Sequence, residues 1–191
     1  QALAADLADR AINSDNLEDY WDSLTNNEMM TIDQRISRLH SVIDSAKLEE
    51  DDSWLSPEID GTFNFDSPAE IMQALENSGS PWAMETLEVL QKRSPLMLHV
   101  SLRQIRLGRH MSLADELRLE RTLVQHCFYT HHLERTGVKT ETVEGIRALV
   151  IDKDHNPAWN PTRIQDVTSE MVDPFFVSPW AETDHPLADL N

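Results

Sequence analysis

Four side chains suited to metal or nucleophile chemistry crowd the stretch "QHCFYTHH": His126, Cys127, His131 and His132. A zinc ion takes thiolate and imidazole ligands, and on a continuous helix Cys127 and His131, four apart, would share a face. His126 would then point about a quarter turn away. No CxxC or HExxH partner occurs, so the pattern favours a half-buried thiol beside solvated histidines at a helix end, and no metal ligand is assigned.

The other reactive types are equally spread out. Glu116, Arg118, Glu120 and Arg121 sit along one amphipathic pattern, where Asp115 with Arg118 and Glu120 beside Arg121 read as ion pairs on the solvent side rather than as acid and base. No GxSxG occurs, and Cys127 lacks a basic partner motif. Gly61, Gly79, Gly108, Gly137 and Gly145 are each isolated, which excludes a glycine-rich phosphate cradle. Trp21, Trp54, Trp82, Trp159 and Trp180 are scattered singly and read as packing anchors. No catalytic residue is assigned.

The remaining candidate lies in "TVEGIRALVIDKDHNPAWNP", Thr142 to Pro161. Gly145 inside a helix costs about 1 kcal/mol against Ala, so it implies a close helix contact or the approach of a ligand. Ile146, Leu149 and Val150 would bury a face. Lys153 would then emerge at the helix C-terminus, where a cation complements the helix dipole and also suits a ligand phosphate.

These residues need helices to position them, and helical periodicity runs through the chain, so the fold class is mostly α. Leu3, Leu7 and Ile12, then Leu17, Tyr20, Trp21 and Leu24, then Ile32, Ile36, Leu39 and Ile43 give apolar stripes on three short helices in a segment 1–46. An acidic linker, 47–66, follows, with room for one helical turn around Pro57. The region 67–191 then opens three helices in quick succession with "SPAE", "SPWA" and "SPLM". In each, a Ser hydroxyl caps the free N–H groups of the first turn and Pro occupies the first helical position, where its missing N–H costs nothing. Glu70 completes a capping box with Ser67. The longest helix starts on Ser112 and puts Leu113, Leu117, Val124, Cys127 and Phe128 on one face. Thr140 or Thr142 caps the next, and a short helix is expected from Thr168 to Phe176.

The chain has 191 residues and a formal net charge of −18, from 34 acidic and 16 basic residues. That balance excludes nucleic acid or an anionic membrane bound through bulk electrostatics. Cys127, the single cysteine, excludes an intrachain disulfide and suits a reducing compartment. No apolar run approaches the roughly 20 residues of a membrane span. The chain begins on Gln1, already in helical pattern, and reads as a processed product or a piece whose upstream part lies elsewhere.

From Ser80 onward the sequence resembles the C-terminal half of the 3-hydroxyisobutyryl-CoA hydrolases, within the crotonase (enoyl-CoA hydratase/isomerase) superfamily. The residues that carry the resemblance are Ser94-Pro95, Leu102-Arg103, Leu119-Glu120-Arg121, and above all Glu144-Gly145-Ile146-Arg147-Ala148 leading to Ile151-Asp152-Lys153-Asp154 and Pro157-x-Trp159. The resemblance implies the helical C-terminal part of a crotonase-like α/β fold, whose β/β/α spiral core, with its oxyanion hole and acidic residues, is not in this chain. It implies hydrolysis of an acyl-CoA thioester in valine catabolism, with acyl-CoA as substrate and neither metal nor redox cofactor. It also places Lys153 near the CoA adenine or phosphates, although Leu149 stands where related hydratases carry an aromatic. The implied partners are the N-terminal crotonase core of the same protein and, in a homo-oligomer, neighbouring subunits; the implied location is cytoplasmic for a bacterial protein and the mitochondrial matrix for a eukaryotic one. Two alternatives share the resemblance: another hydratase or isomerase of the superfamily, and a non-catalytic crotonase-like subunit of the mitochondrial ribosomal small subunit.

Overall fold

In the computed structural model, which describes residues 14–25, 30–45 and 57–190, the chain divides into two units, Gln1–Ile59 and Asp60–Asn191. The first holds helices α1, Leu17–Thr25, and α2, Ile32–Ser45, packed on each other. Leu17, Trp21, Ile32 and Ile36 are exposed there, so Trp21 is no packing anchor within this unit. The expected helix through Leu3, Leu7 and Ile12, and Trp54, lie outside the described residues.

Helix α3, Pro57–Phe63, crosses the boundary, and the second unit continues as α4, Pro68–Ser78, α5, Pro81–Gln91, α6, Pro95–Gly108, and α7, Leu113–Phe128. Their starts follow the Ser-Pro logic closely. The Ser67, Ser80 and Ser94 hydroxyls accept from the N–H groups of Glu70, Ala83 and Met97 at 3.2, 3.0 and 3.2 Å. Glu70 returns a bond to the Ser67 N–H at 3.0 Å, closing the capping box. Ser112 caps α7 in the same way through Asp115, and Gly79, at φ +64°, ends α4 in the left-handed conformation that glycine takes without cost.

Two apolar clusters hold these helices. Ile71 and Leu75 of α4 meet Ala83 and Leu87 of α5, with Phe63 and Trp82 packed alongside. Leu96 and Val100 of α6 meet Leu123 of α7 and, from the C-terminal segment, Val172 and Phe175, with Cys127 and Met171 at the edge. The short helix expected over 168–176 is present as α-helical Ser169–Val172 running into a 3-10 turn, Asp173–Phe176.

Three expectations need correction. The face of α7 that carries Leu113, Leu117, Val124 and Phe128 points outward, with Leu113 73% and Val124 51% exposed; the helix buries Ala114, Thr122 and Leu123 instead. The spacing puts these residues on one helical face, but a lone amphipathic pattern does not say which neighbour covers it. Secondly, α7 stops at Phe128, and a two-residue antiparallel ladder, Tyr129–Thr130 with Arg135–Thr136, turns the chain. His131 lies in the intervening 3-10 turn, so it shares no helical face with Cys127. Thirdly, helix α8, Glu141–Ile146, capped by Thr140, continues as a π turn, Arg147–Ile151. The apolar side chains there face outward: Ile146, at the end of α8, and Leu149, Val150 and Ile151 of the π turn are exposed, and only Ala148 of the turn is buried.

Candidate ligand-contact site at residues 141–160

The segment after α8 is organised by Arg147. Its Nε and Nη2 donate to the two carboxylate oxygens of Glu144 at 2.9 and 2.8 Å, one helical turn back. Its Nη1 donates to Asp152 Oδ2 and to Asp154 Oδ2, both at 2.7 Å, and Nη2 reaches the Asn156 carbonyl at 3.1 Å. The π turn makes this reach feasible, because the Asp152 N–H bonds the Arg147 carbonyl at 2.8 Å and brings the chain back over the guanidinium. The three carboxylates raise the guanidinium further above its ordinary value, Glu144 most, and Arg147 in turn holds Glu144 and Asp154 below the usual carboxylate range.

Trp159 explains Gly145. A Cβ at position 145 would lie 3.3 Å from the Trp159 ring, and the indole Nε1 donates to the Lys92 carbonyl at 3.1 Å. Of the two reasons a helical glycine suggests, close helix contact is the one found: the Pro157-x-Trp159 turn folds back onto α8.

Beneath this loop, Glu141 anchors α8 to three other elements. Its carboxylate accepts from the Ser94 hydroxyl and from the Asn160 N–H at 3.0 Å, and Arg135 Nη1 lies 3.7 Å away while donating to the Asn160 carbonyl. The side chains of Glu141 and Arg135 are only 7% and 12% exposed, so each charge depends on the other and on these bonds. Ser94 thus has two tasks, capping α6 and tying it to α8.

Lys153 lies in sequence between the two aspartates that Arg147 takes. It is exposed, has φ +55°, and forms no ion pair among the described residues. Its neighbour His155 shares the left-handed conformation at φ +53°.

The histidine and cysteine group is used differently. His126 and His132 donate Nε2–H to the carbonyls of Val177 and Met171 at 2.8 and 2.9 Å, tying the C-terminal segment to α7 and to the turn after it, and His131 stacks on Tyr129. Burial pushes the Cys127 thiol up, against a weaker opposing bond to Thr142, which leaves it a poor nucleophile. Among the described residues no group of three or more His, Cys, Asp or Glu is arranged to hold a metal ion. Arg118 pairs with Asp115 at 2.9 Å as its spacing predicts, but it also donates to the carbonyls of Leu187, Ala188 and Leu190. Arg121 lies over the Trp180 ring, 5.0 Å from its centroid, rather than beside Glu120 in solvent.

Sequence reasoning missed Arg147 and Glu141 as organising residues. The Glu144–Arg147 spacing of three was a local signal for half of the first network. Nothing local signals the partners of Glu141, which come from positions 94, 135 and 160.

Comparison with known proteins supplies the wider setting. The family described as enoyl-CoA hydratase/isomerase matches residues 1–176. The mitochondrial 3-hydroxyisobutyryl-CoA hydrolase of Gallus gallus is 40% identical over 118 residues, covering 62% of this chain and 28% of that protein. Its Danio rerio counterpart is 30% identical over 176 residues, covering 90% of this chain and 44% of that protein. In three dimensions the chain is similar to a carnitinyl-CoA dehydratase from Mycobacterium thermoresistibile, with a TM-score of 0.75, 23% identity, and coverage of 97% of this chain and 48% of that one. An enoyl-CoA hydratase from Rhodobacter sphaeroides 2.4.1 gives a TM-score of 0.69 at 27% identity, covering 93% and 47%. The chain therefore spans less than half the length of these relatives.

Proposed function

Because the chain belongs to the enoyl-CoA hydratase/isomerase family, we propose that it is the C-terminal portion of an acyl-CoA thioester hydrolase, a 3-hydroxyisobutyryl-CoA hydrolase. The observation that carries this reading is the ordered run from Glu144 to Trp159, together with relatives of that name at 30–40% identity. In the proposed reaction a water oxygen bonds the thioester carbonyl carbon, the C–S bond breaks, and the departing sulfur takes a proton, giving a free 3-hydroxy acid and CoA. The reaction consumes only water and is redox-neutral, so it calls for no redox cofactor. The groups that activate the water and hold the oxyanion belong to an N-terminal crotonase core of the same protein.

This portion contributes on the ligand side. Lys153, exposed and free of ion pairs among the described residues, contacts a phosphate of CoA. The outward apolar side chains of α7 and of the π turn are the surface on which the core docks. No described helix is long and apolar enough to cross a membrane. The relatives' names are mitochondrial, which supports the mitochondrial matrix as the place of a eukaryotic protein, with the cytoplasm as that of a bacterial one.

The test uses the purified full-length gene product with 3-hydroxyisobutyryl-CoA and, separately, crotonyl-CoA. Release of free thiol from the first without hydration of the second is expected. Hydration of crotonyl-CoA with no thiol release would assign it instead to the hydratase branch, and co-sedimentation with ribosomal small subunits without either activity would make it a scaffold.

A further inference from the structure

Helix α6 carries His99, Arg103 and Arg106 at the spacing i, i+4 and i+7, which stacks them on one face. All three line a cavity of about 360 Å³, whose other walls include Asp66, Ser169 and Asp173. His99 is already engaged: its Nε2–H donates to the Ile164 carbonyl at 3.3 Å, and burial holds the imidazole below the usual histidine range. The positive charge in the cavity is therefore that of two guanidinium groups.

Both guanidiniums keep donors in hand. Arg103 sits over the Phe176 ring, 4.3 Å from its centroid, and gives Nη1 to Asp173 at 2.5 Å, so it is held from two sides. Its Nε and Nη2 have no acceptor among the described residues, and these two nitrogens form the edge that meets two oxygens of one anion in parallel. Arg106 gives Nη2 to the Phe65 carbonyl, while its buried Nε has no acceptor among the described residues. A buried donor left unmatched on a charged group is costly and uncommon in native folds. The acids do not cancel this inside the cavity. The side chains of Asp66 and Asp173 are 96% and 62% exposed, against 32% and 40% for Arg106 and Arg103, and Asp66 lies 3.5 Å from Arg106. Solvated carboxylates at a rim are screened, and the more enclosed guanidiniums are screened less.

We propose that this cavity is an anion site for a phosphate group, bound on the free edge of Arg103 with Arg106 and the Ser169 hydroxyl as further donors. Phosphate suits it better than a carboxylate because it offers more than two oxygens to donors on facing walls. The group is inorganic phosphate or a phosphate carried by CoA. The site does not depend on which thioester the protein turns over.

The test is titration of the full-length protein with inorganic phosphate at constant ionic strength, followed by phosphorus NMR. Saturable binding with a millimolar Kd is expected. Arg103→Lys, which keeps the charge but loses the two-pronged edge, and Arg106→Gln should each raise that Kd about tenfold. Asp66→Asn, at an exposed position, should lower it about twofold by removing an opposing charge, a gain that a merely structural role would not give. Absence of saturable binding, or a Kd that neither arginine variant moves, would overturn the proposal. If the arginine variants do not fold, Asp66→Asn answers alone, and an unchanged or raised Kd would overturn it. CoA as a second titrant separates the sources. Displacement of phosphate by CoA, with CoA binding weakened about tenfold in Arg103→Lys, assigns the site to a CoA phosphate, and unaltered CoA binding assigns it to the free ion. Thiol release is measured separately, so failure of this site leaves the hydrolase reading standing.

Discussion

The layer of helices α4 to α7 and the segment 141–160 hold their shape by different means. In the helical layer, caps built from residues three apart fix where each helix starts, and apolar clusters around Leu75 and Phe175 fix how they stack. In the segment, one arginine and one glutamate do most of the ordering through bonds to residues up to 47 positions away. Apolar burial is non-directional and tolerates small shifts, whereas charge-assisted bonds fix side-chain directions. The ligand contact proposed at Lys153 calls for the second kind of order, and a supporting layer for the first.

The largest change comes from isolating the chain. Its outward apolar residues, Leu113, Val124, Phe128, Leu149, Val150 and Ile151 among them, should make the 191-residue polypeptide associate or melt without a sharp transition. Sedimentation and calorimetry check this, and a monomeric, cooperative melt would contradict it. Within the full-length protein, Phe175→Ala removes a side chain that is 1% exposed and should cost about 3–5 kcal/mol by chemical denaturation. Glu141→Ala leaves Arg135 without its partner and Ser94 and Asn160 without an acceptor. A loss of about 3 kcal/mol is expected, close to the core truncation, although no apolar area is removed. Ser67→Ala, which breaks only the capping box of α4, should cost about 1 kcal/mol and leave activity unchanged.

The contrast also sets what was legible in the sequence. Each Ser-Pro start could be placed because a cap is an interaction between residues three apart. The apolar stripe through Leu113, Leu117, Val124 and Phe128 could be seen, yet its outward direction could not, because periodicity reports a face and not its partner. Gly145 announced a close approach, and the Trp159 ring that makes it was itself in the quoted motif, fourteen positions on. The cage around Arg147 was hidden because a regular helix would have aimed Asp152 and Asp154 elsewhere; the π turn, which no local pattern announces, brings them in.

In the proposed function the segment 141–160 serves ligand contact through Lys153 while other residues maintain its fold. Lys153→Met in the full-length protein tests both halves at once, by thermal melting and by KM for 3-hydroxyisobutyryl-CoA. An unchanged Tm with KM raised about tenfold is expected. An unchanged KM, or a fall in Tm that accounts for the lost activity, would contradict it.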